Sequence, residues 1–198
     1  MSAAADPAGG PEVAALLQAG RASGEQALAL FDRLPPVDLT FMLGAWRGEG
    51  FDTGHPLDGL LEICHWHGKR FESPEAVHPL VFRAIGGGLV RVDPRWMGPG
   101  LARIDRLPPR HPWMGRLFQL LLPLLRTRRS RARLRMTEYR GCLSATMLYD
   151  QQPINDVFRR IDDDTVFGLM DLKGMERPFF FILRRESGDD PSRSSPGR

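Results

Sequence analysis

The chain has 198 residues, 42% of them apolar, a net charge of +3 and a pI of about 9.3. Such numbers suit one globular domain with arms and exclude a disordered, collagen-like or disulfide-rich chain. No apolar run is long enough to cross a bilayer as a helix, and Met1-Ser2-Ala3-Ala4-Ala5-Asp6-Pro7 lacks the basic and apolar parts of a signal peptide. Cys64 and Cys142 form neither a metal spacing nor a disulfide framework, so a cytoplasmic protein with reduced thiols is expected. The basic residues are 25 arginines and two lysines, Lys69 and Lys173. The skew makes both lysines conspicuous, because an ammonium is compact and titratable where a guanidinium is not.

Residues 1–22 are rich in small residues and read as a loose arm. Ser23-Gly24-Glu25-Gln26 has the spacing of a capping box, and Leu34-Pro35-Pro36 is a stop, which predicts an amphipathic helix over 24–33. Then comes Gly44-Ala45-Trp46-Arg47-Gly48-Glu49-Gly50. At a period of two, Trp46 shares a face with three glycines. Glycine weakens a strand but permits sharp curvature and close approach. The stretch reads as the curling first strand of a small barrel, with the indole plugging one end.

Asp52-Thr53-Gly54-His55-Pro56 is a turn, and Leu57, Leu60, Leu61 and Cys64 mark one face of a short helix. Strands are predicted over 66–72, 77–83 and from 89 to 93. Residues 94–112 form a long loop. A Leu-rich helix is expected over 113–125, interrupted or ended near Pro123, and six arginines follow between Arg126 and Arg135. Further strands are expected over 131–139, 143–150, 154–161, 165–172 and 178–185, with hairpin turns at Asp162-Asp163-Asp164 and Lys173-Gly174. The tail, 187–198, is polar and expected to be disordered. The fold class is therefore mainly β: an antiparallel, calycin-like barrel with two or three short helices, spanning 23–186. Within it, 23–93 form a first part, 94–130 a loop and lid helix, and 131–186 the C-terminal strands.

Gly44-x-Trp46-x-Gly48, Thr53-Gly54-His55-Pro56 and Trp66-His67-Gly68-Lys69-Arg70-Phe71 together resemble the GXWXG domain family. Met147-Leu148-Tyr149-Asp150, Pro153-Ile154-x-Asp156-x-Phe158 and Gly168-Leu169-Met170-Asp171 resemble the domain of unknown function that usually accompanies it. The glycine string is also similar to the opening strand of nitrobindins, haem-binding barrels related in shape to fatty-acid-binding proteins. That likeness implies a barrel, and haem as one cofactor to test. The proximal histidine of nitrobindins lies towards the C-terminus, whereas the last histidine here is His111.

Five histidines are candidates for chemistry. His65-x-His67 offers two imidazoles, but no further cluster completes a metal site, and none is assigned. His55 and His78, each before a proline, are placed at the barrel mouth beside Lys69. The strand period puts Lys69 on the face of His67 and Phe71, towards the interior. A buried ammonium requires a carboxylate, and Asp150 or Asp156 is expected to supply it. Trp46, His55, His67, Lys69, His78, Tyr149, Asp150 and Asp156 are the candidate ligand-binding residues.

The expected function is binding of a small, apolar or amphipathic molecule inside the barrel. A proton-transfer enzyme built on His, Lys and Asp is one alternative, and a haem-binding barrel is another. The chain contains no nucleophile elbow, P-loop or zincin motif, and no aromatic-basic module for nucleic acid. The helix over 117–125 is expected to be a lid packed on the barrel, its following arginines solvated or paired with Asp162-Asp163-Asp164. A membrane surface is not expected, because interfacial helices carry basic residues along a face.

Overall fold

Apolar residues on both phases of the C-terminal strands require two packed layers, and the chain provides them. A computed structural model describes residues 10–97 and 111–186. The start of the expected arm (1–9), most of the expected loop (98–110) and the expected tail (187–198) lie outside the described residues. In chain order the elements are α1 (Gly10–Ala19), α2 (Gly24–Arg33), α3 (Leu39–Met42), β1 (Gly44–Gly50), α4 (Leu60–Ile63), β2 (Trp66–Ser73), β3 (Ala76–Arg83) and β4 (Leu89–Arg91). After a 3-10 turn at Pro94–Met97 come α5 (Pro112–Leu125), β5 (Ala132–Tyr139), β6 (Cys142–Tyr149), β7 (Ile154–Arg160), β8 (Thr165–Leu172) and β9 (Phe179–Arg185).

Eight strands pair antiparallel in the order β2-β1-β9-β8-β7-β6-β5-β3, and the β2–β3 pairing closes the ring. The short β4 pairs with β3 outside that ring. Closure gives every strand of the ring a partner on both sides, with the β3–β5 seam resting on one registered pair, Val77 with Ala132. Phe179, Phe181 and Leu183 of β9, with Val166, Met170 and Leu172 of β8, point inward to the main core. The alternate residues, Phe167, Leu169, Phe180 and Ile182, point outward and pack under α2, against Leu30 and Phe31. This second core accounts for strands that are apolar on both phases.

Helix α2 begins as its sequence dictates. Ser23 Oγ accepts a hydrogen bond from the Gln26 backbone, and the Gln26 side chain accepts one from the Ser23 backbone. Residues 10–19, expected to be part of a loose arm, form α1 instead. Its Val13 is fully buried in the outer core and Leu17 packs against that core, so the helix docks through one apolar face.

Trp46 is fully buried among the interior side chains, and its indole N–H donates to the Met42 carbonyl at 2.8 Å. Phe41 and the Arg185 guanidinium cover its ring. On the same face of β1, Gly48 has no side chain because the Trp66 ring occupies that space, and an added Cβ would collide with it.

Helix α5 runs through Pro123 to Leu125, although the proline removes the bond its N–H would make to the Gln119 carbonyl. Its inner face packs on β3 through Leu122 and Phe118, and Gly115 lies against the Ile63 backbone of α4. The side chain of Gln119 bonds to the backbones of Ile85, Cys64 and Arg83. The arginines after α5 do not pair with the 162–164 turn. Arg131 and Arg135 meet Asp93 and Glu75. The turn acids are used by Arg160 and Arg185, which the β7 and β9 strands bring to it.

Candidate functional site

The site is set by an irregularity in β2. A regular strand would put His67, Lys69 and Phe71 on one face. Instead, the β2–β3 register slips between Trp66 and Gly68 and again between Gly68 and Arg70. Gly68 has φ +149°, and a Cβ there would run into the Trp46 carbonyl. The glycine lets β2 press against β1, and the bulge changes the phase of the side chains. Trp66, Lys69 and Phe71 consequently face the interior. His67 lines another recess, which Lys69 also borders, and its Nε2 stands 2.8 Å from Glu186 there.

Lys69 and Asp156 are 4% and 1% exposed, and their charged atoms are 2.8 Å apart. Asp156 comes from β7, between the inward Ile154 and Phe158. The Lys69 ammonium also donates to the Pro79 carbonyl at 3.2 Å. Three aromatic rings surround it, with centroids at 5.0 Å (Phe181), 5.5 Å (Trp66) and 5.9 Å (Tyr149). Such faces attract a cation, most strongly where water is excluded. Burial pushes the Asp156 carboxyl up, and the Lys69 charge opposes that push. Burial and the Asp156 charge together raise the Tyr149 phenol.

Beside the pair lies a cavity of about 60 Å³. Its walls are mostly apolar: Leu57, Leu60 and Leu61 close it on the side of α4, Leu80 and Ile154 on the barrel side. Two polar atoms of its lining residues, Asp156 Oδ1 and Trp66 Nε1, are buried without a hydrogen-bond partner. One is an acceptor and the other a donor. An unmet buried polar group costs about 1–3 kcal/mol, so each has a reason to meet a ligand group or a water.

The remaining candidates are spread out. Tyr149 lines the cavity, whereas Trp46 is outside its lining and plugs the core. Asp150 is exposed at the end of β6, so the carboxylate that meets Lys69 is that of Asp156. His78 is buried beneath Arg91 and Glu72 rather than beside Lys69, because it pairs across β2 with the outward Arg70. Burial and the Arg91 charge lower its pKa, and its Nε2 accepts from Arg91 at 2.9 Å. His55 is buried in the turn before α4. Its Nδ1 accepts from the Leu57 backbone, its Nε2 faces Met175, and its ring packs on Phe179. A His/Lys/Asp constellation at the mouth is therefore not assembled.

Haem does not fit this interior. No histidine lines the cavity, and its volume is far below that of a porphyrin. Among the described residues, no three His, Cys, Asp or Glu side chains cluster as metal ligands.

Two features escaped the sequence reading. Trp66 stands three residues before Lys69, a spacing no regular strand puts on one face; glycine in mid-strand was the available signal of a bulge. Arg159, 1% exposed, lies under α2 with its guanidinium 4.8 Å from the Phe31 ring and bonded to the Tyr139 carbonyl.

Comparison with known proteins agrees with this architecture. Residues 29–87 match the family model described as GXWXG protein, and residues 130–185 match a domain of unknown function, DUF4334. No curated protein matches the chain. A crystal structure of a protein from Thermomonospora curvata is similar, with 35% identity and a TM-score of 0.65, covering 88% of this chain and 96% of that one. With this relative matched over nearly its whole length and the two family models matched in order, the chain belongs to the GXWXG family, in its form with a C-terminal DUF4334 domain.

Proposed function

We propose that the barrel binds a small, mostly apolar molecule that carries a hydroxyl group. The observation that carries this reading is the buried Lys69–Asp156 pair on the wall of an apolar cavity, with an unpartnered acceptor on Asp156 and an unpartnered donor on Trp66. A hydroxyl both donates and accepts, so its chemistry matches the unmet acceptor and the unmet donor. An ion pair this deep adds little to stability compared with apolar residues of the same volume, which favours a role in binding. The cavity limits the ligand to a few heavy atoms unless the Leu57–Leu61 wall yields. The two cysteines, both free and half-buried, suit a reducing compartment such as the cytoplasm. No helix among the described residues is long and apolar enough to cross a membrane.

The test is a titration with 1-butanol, read from the Trp66 indole N–H by NMR. A saturable shift is expected, with a much weaker response to 1-chlorobutane, which has the same chain without the hydroxyl. The double variant Lys69→Met/Asp156→Leu should lose the butanol response. Equal responses to the two probes, or none to either, would overturn the reading and leave the two polar atoms to water.

A further inference from the structure

We propose that the outer face of α5, with the arginines that follow it, is a docking surface for an anionic lipid bilayer. The proposal is independent of the ligand in the barrel. At about 100° per residue, Trp113, Leu117, Leu120, Leu121 and Leu124 fall within an arc of about 100°. Opposite this arc lie Gly115, Gln119 and Leu122, which pack on the barrel and α4. Among the described residues nothing covers the outward set: Trp113 is 51% exposed, Leu120 76% and Leu124 77%. A helix apolar on both faces is normally buried on both, and contiguous exposed apolar surface marks an interaction site.

Charge identifies the occupant. Residues 111–135 hold seven arginines and no acidic residue, against a net charge of +3 for the whole chain. Everything outside that stretch therefore sums to −4. Arg116 is exposed on α5, and Arg126, Arg128 and Arg129 are exposed at its C-terminal end. Among the described residues, none of these four has an ion-pair partner. A partner protein or a second copy would need an apolar patch ringed by acidic residues, whereas an anionic bilayer supplies both chemistries at once. A free interfacial helix carries its basic residues along one face. Here the barrel already holds the inner face, and the cationic groups stand beside the outer one, Arg116 on the helix and Arg126, Arg128 and Arg129 just beyond its C-terminal end.

The experiment is co-sedimentation of the full chain with vesicles of phosphatidylcholine alone and of phosphatidylcholine with phosphatidylglycerol, at low and high salt. Binding to the anionic vesicles that weakens with salt is expected. Leu120→Glu/Leu124→Glu should abolish it with an unchanged melting temperature, since both side chains are exposed. Replacing Arg126, Arg128 and Arg129 by Gln should weaken partitioning roughly 100-fold, at about 1 kcal/mol per arginine near the surface. Failure to bind either vesicle, or salt-insensitive binding to phosphatidylcholine alone, would overturn the proposal. So would a dimer in light scattering that the double Glu variant dissociates while vesicles bind nothing.

Discussion

At the scale of single residues, Lys69 and Asp58 show opposite ways of holding a buried charge. Lys69→Met leaves the Asp156 carboxylate without its cation in a site that is 1% exposed. The expected loss is about 3–5 kcal/mol, the usual result of stranding one member of a buried pair. Lys69→Met/Asp156→Leu removes both charges and should return stability to the wild-type value or raise it by about 1–4 kcal/mol. Urea unfolding of the three proteins checks this; a double variant no better than the single one would mean that the pair holds the fold. Asp58 has no cation. Its Oδ2 accepts from the Thr53 and His55 backbones, but burial outweighs these bonds and, with Asp52 nearby, raises its pKa to about 6. Between the ordinary carboxyl value and 6, the folded protein binds more protons than the unfolded chain, so the contribution of Asp58 to stability falls as pH rises through that window. The stability of wild type relative to Asp58→Asn should therefore decline from pH 4 to pH 7. Parallel pH curves would refute this.

At the scale of elements, what was legible depended on whether a local rule acted alone. The capping box predicted α2 to the residue, because Ser23 and Gln26 satisfy each other without help from the rest of the chain. Apolar residues on both phases of Val166 to Met170 and Phe179 to Leu183 are equally plain in the sequence, and the two apolar layers bury both sets. The period of two then failed on β2. Gly68 yields to the close approach of β1, and the resulting bulge leaves His67 outside the cavity that Lys69 lines. Lys69 still reaches the interior, in company with Trp66 rather than His67. The choice between Asp150 and Asp156 was likewise out of reach of composition: Asp156 lies between two inward residues of β7, and Asp150 falls at the exposed end of β6. For α5, the sequence contained the apolar run, but only packing shows which side the barrel uses and which it leaves bare.

At the scale of the whole molecule, the barrel is closed unevenly. Strands β5 and β6 pair over eight registered positions and β8 and β9 over six, but β3 and β5 share one, Val77 with Ala132. Around it, the Arg131 N–H donates to the Val77 carbonyl and the Leu134 N–H to the Pro74 carbonyl. This seam borders the cavity, since Leu80 belongs to β3 and Tyr149 sits opposite Ala132 on the neighbouring strand. By contrast, β8 and β9 are buried on one side by the interior and on the other by the outer core beneath α2. Local opening follows the sparsest packing and hydrogen bonding, so the β3–β5 seam is expected to part before any other pairing and to admit a ligand to a cavity that is otherwise enclosed by leucines and aromatic rings. In native-state hydrogen exchange, the Arg131 and Leu134 amides should exchange by local opening, well before those of Phe167 and Ile182, which should require global unfolding. Equal protection at the four amides would place the entrance elsewhere, with the Leu57–Leu61 wall next in line because it is the side of the cavity that no strand forms.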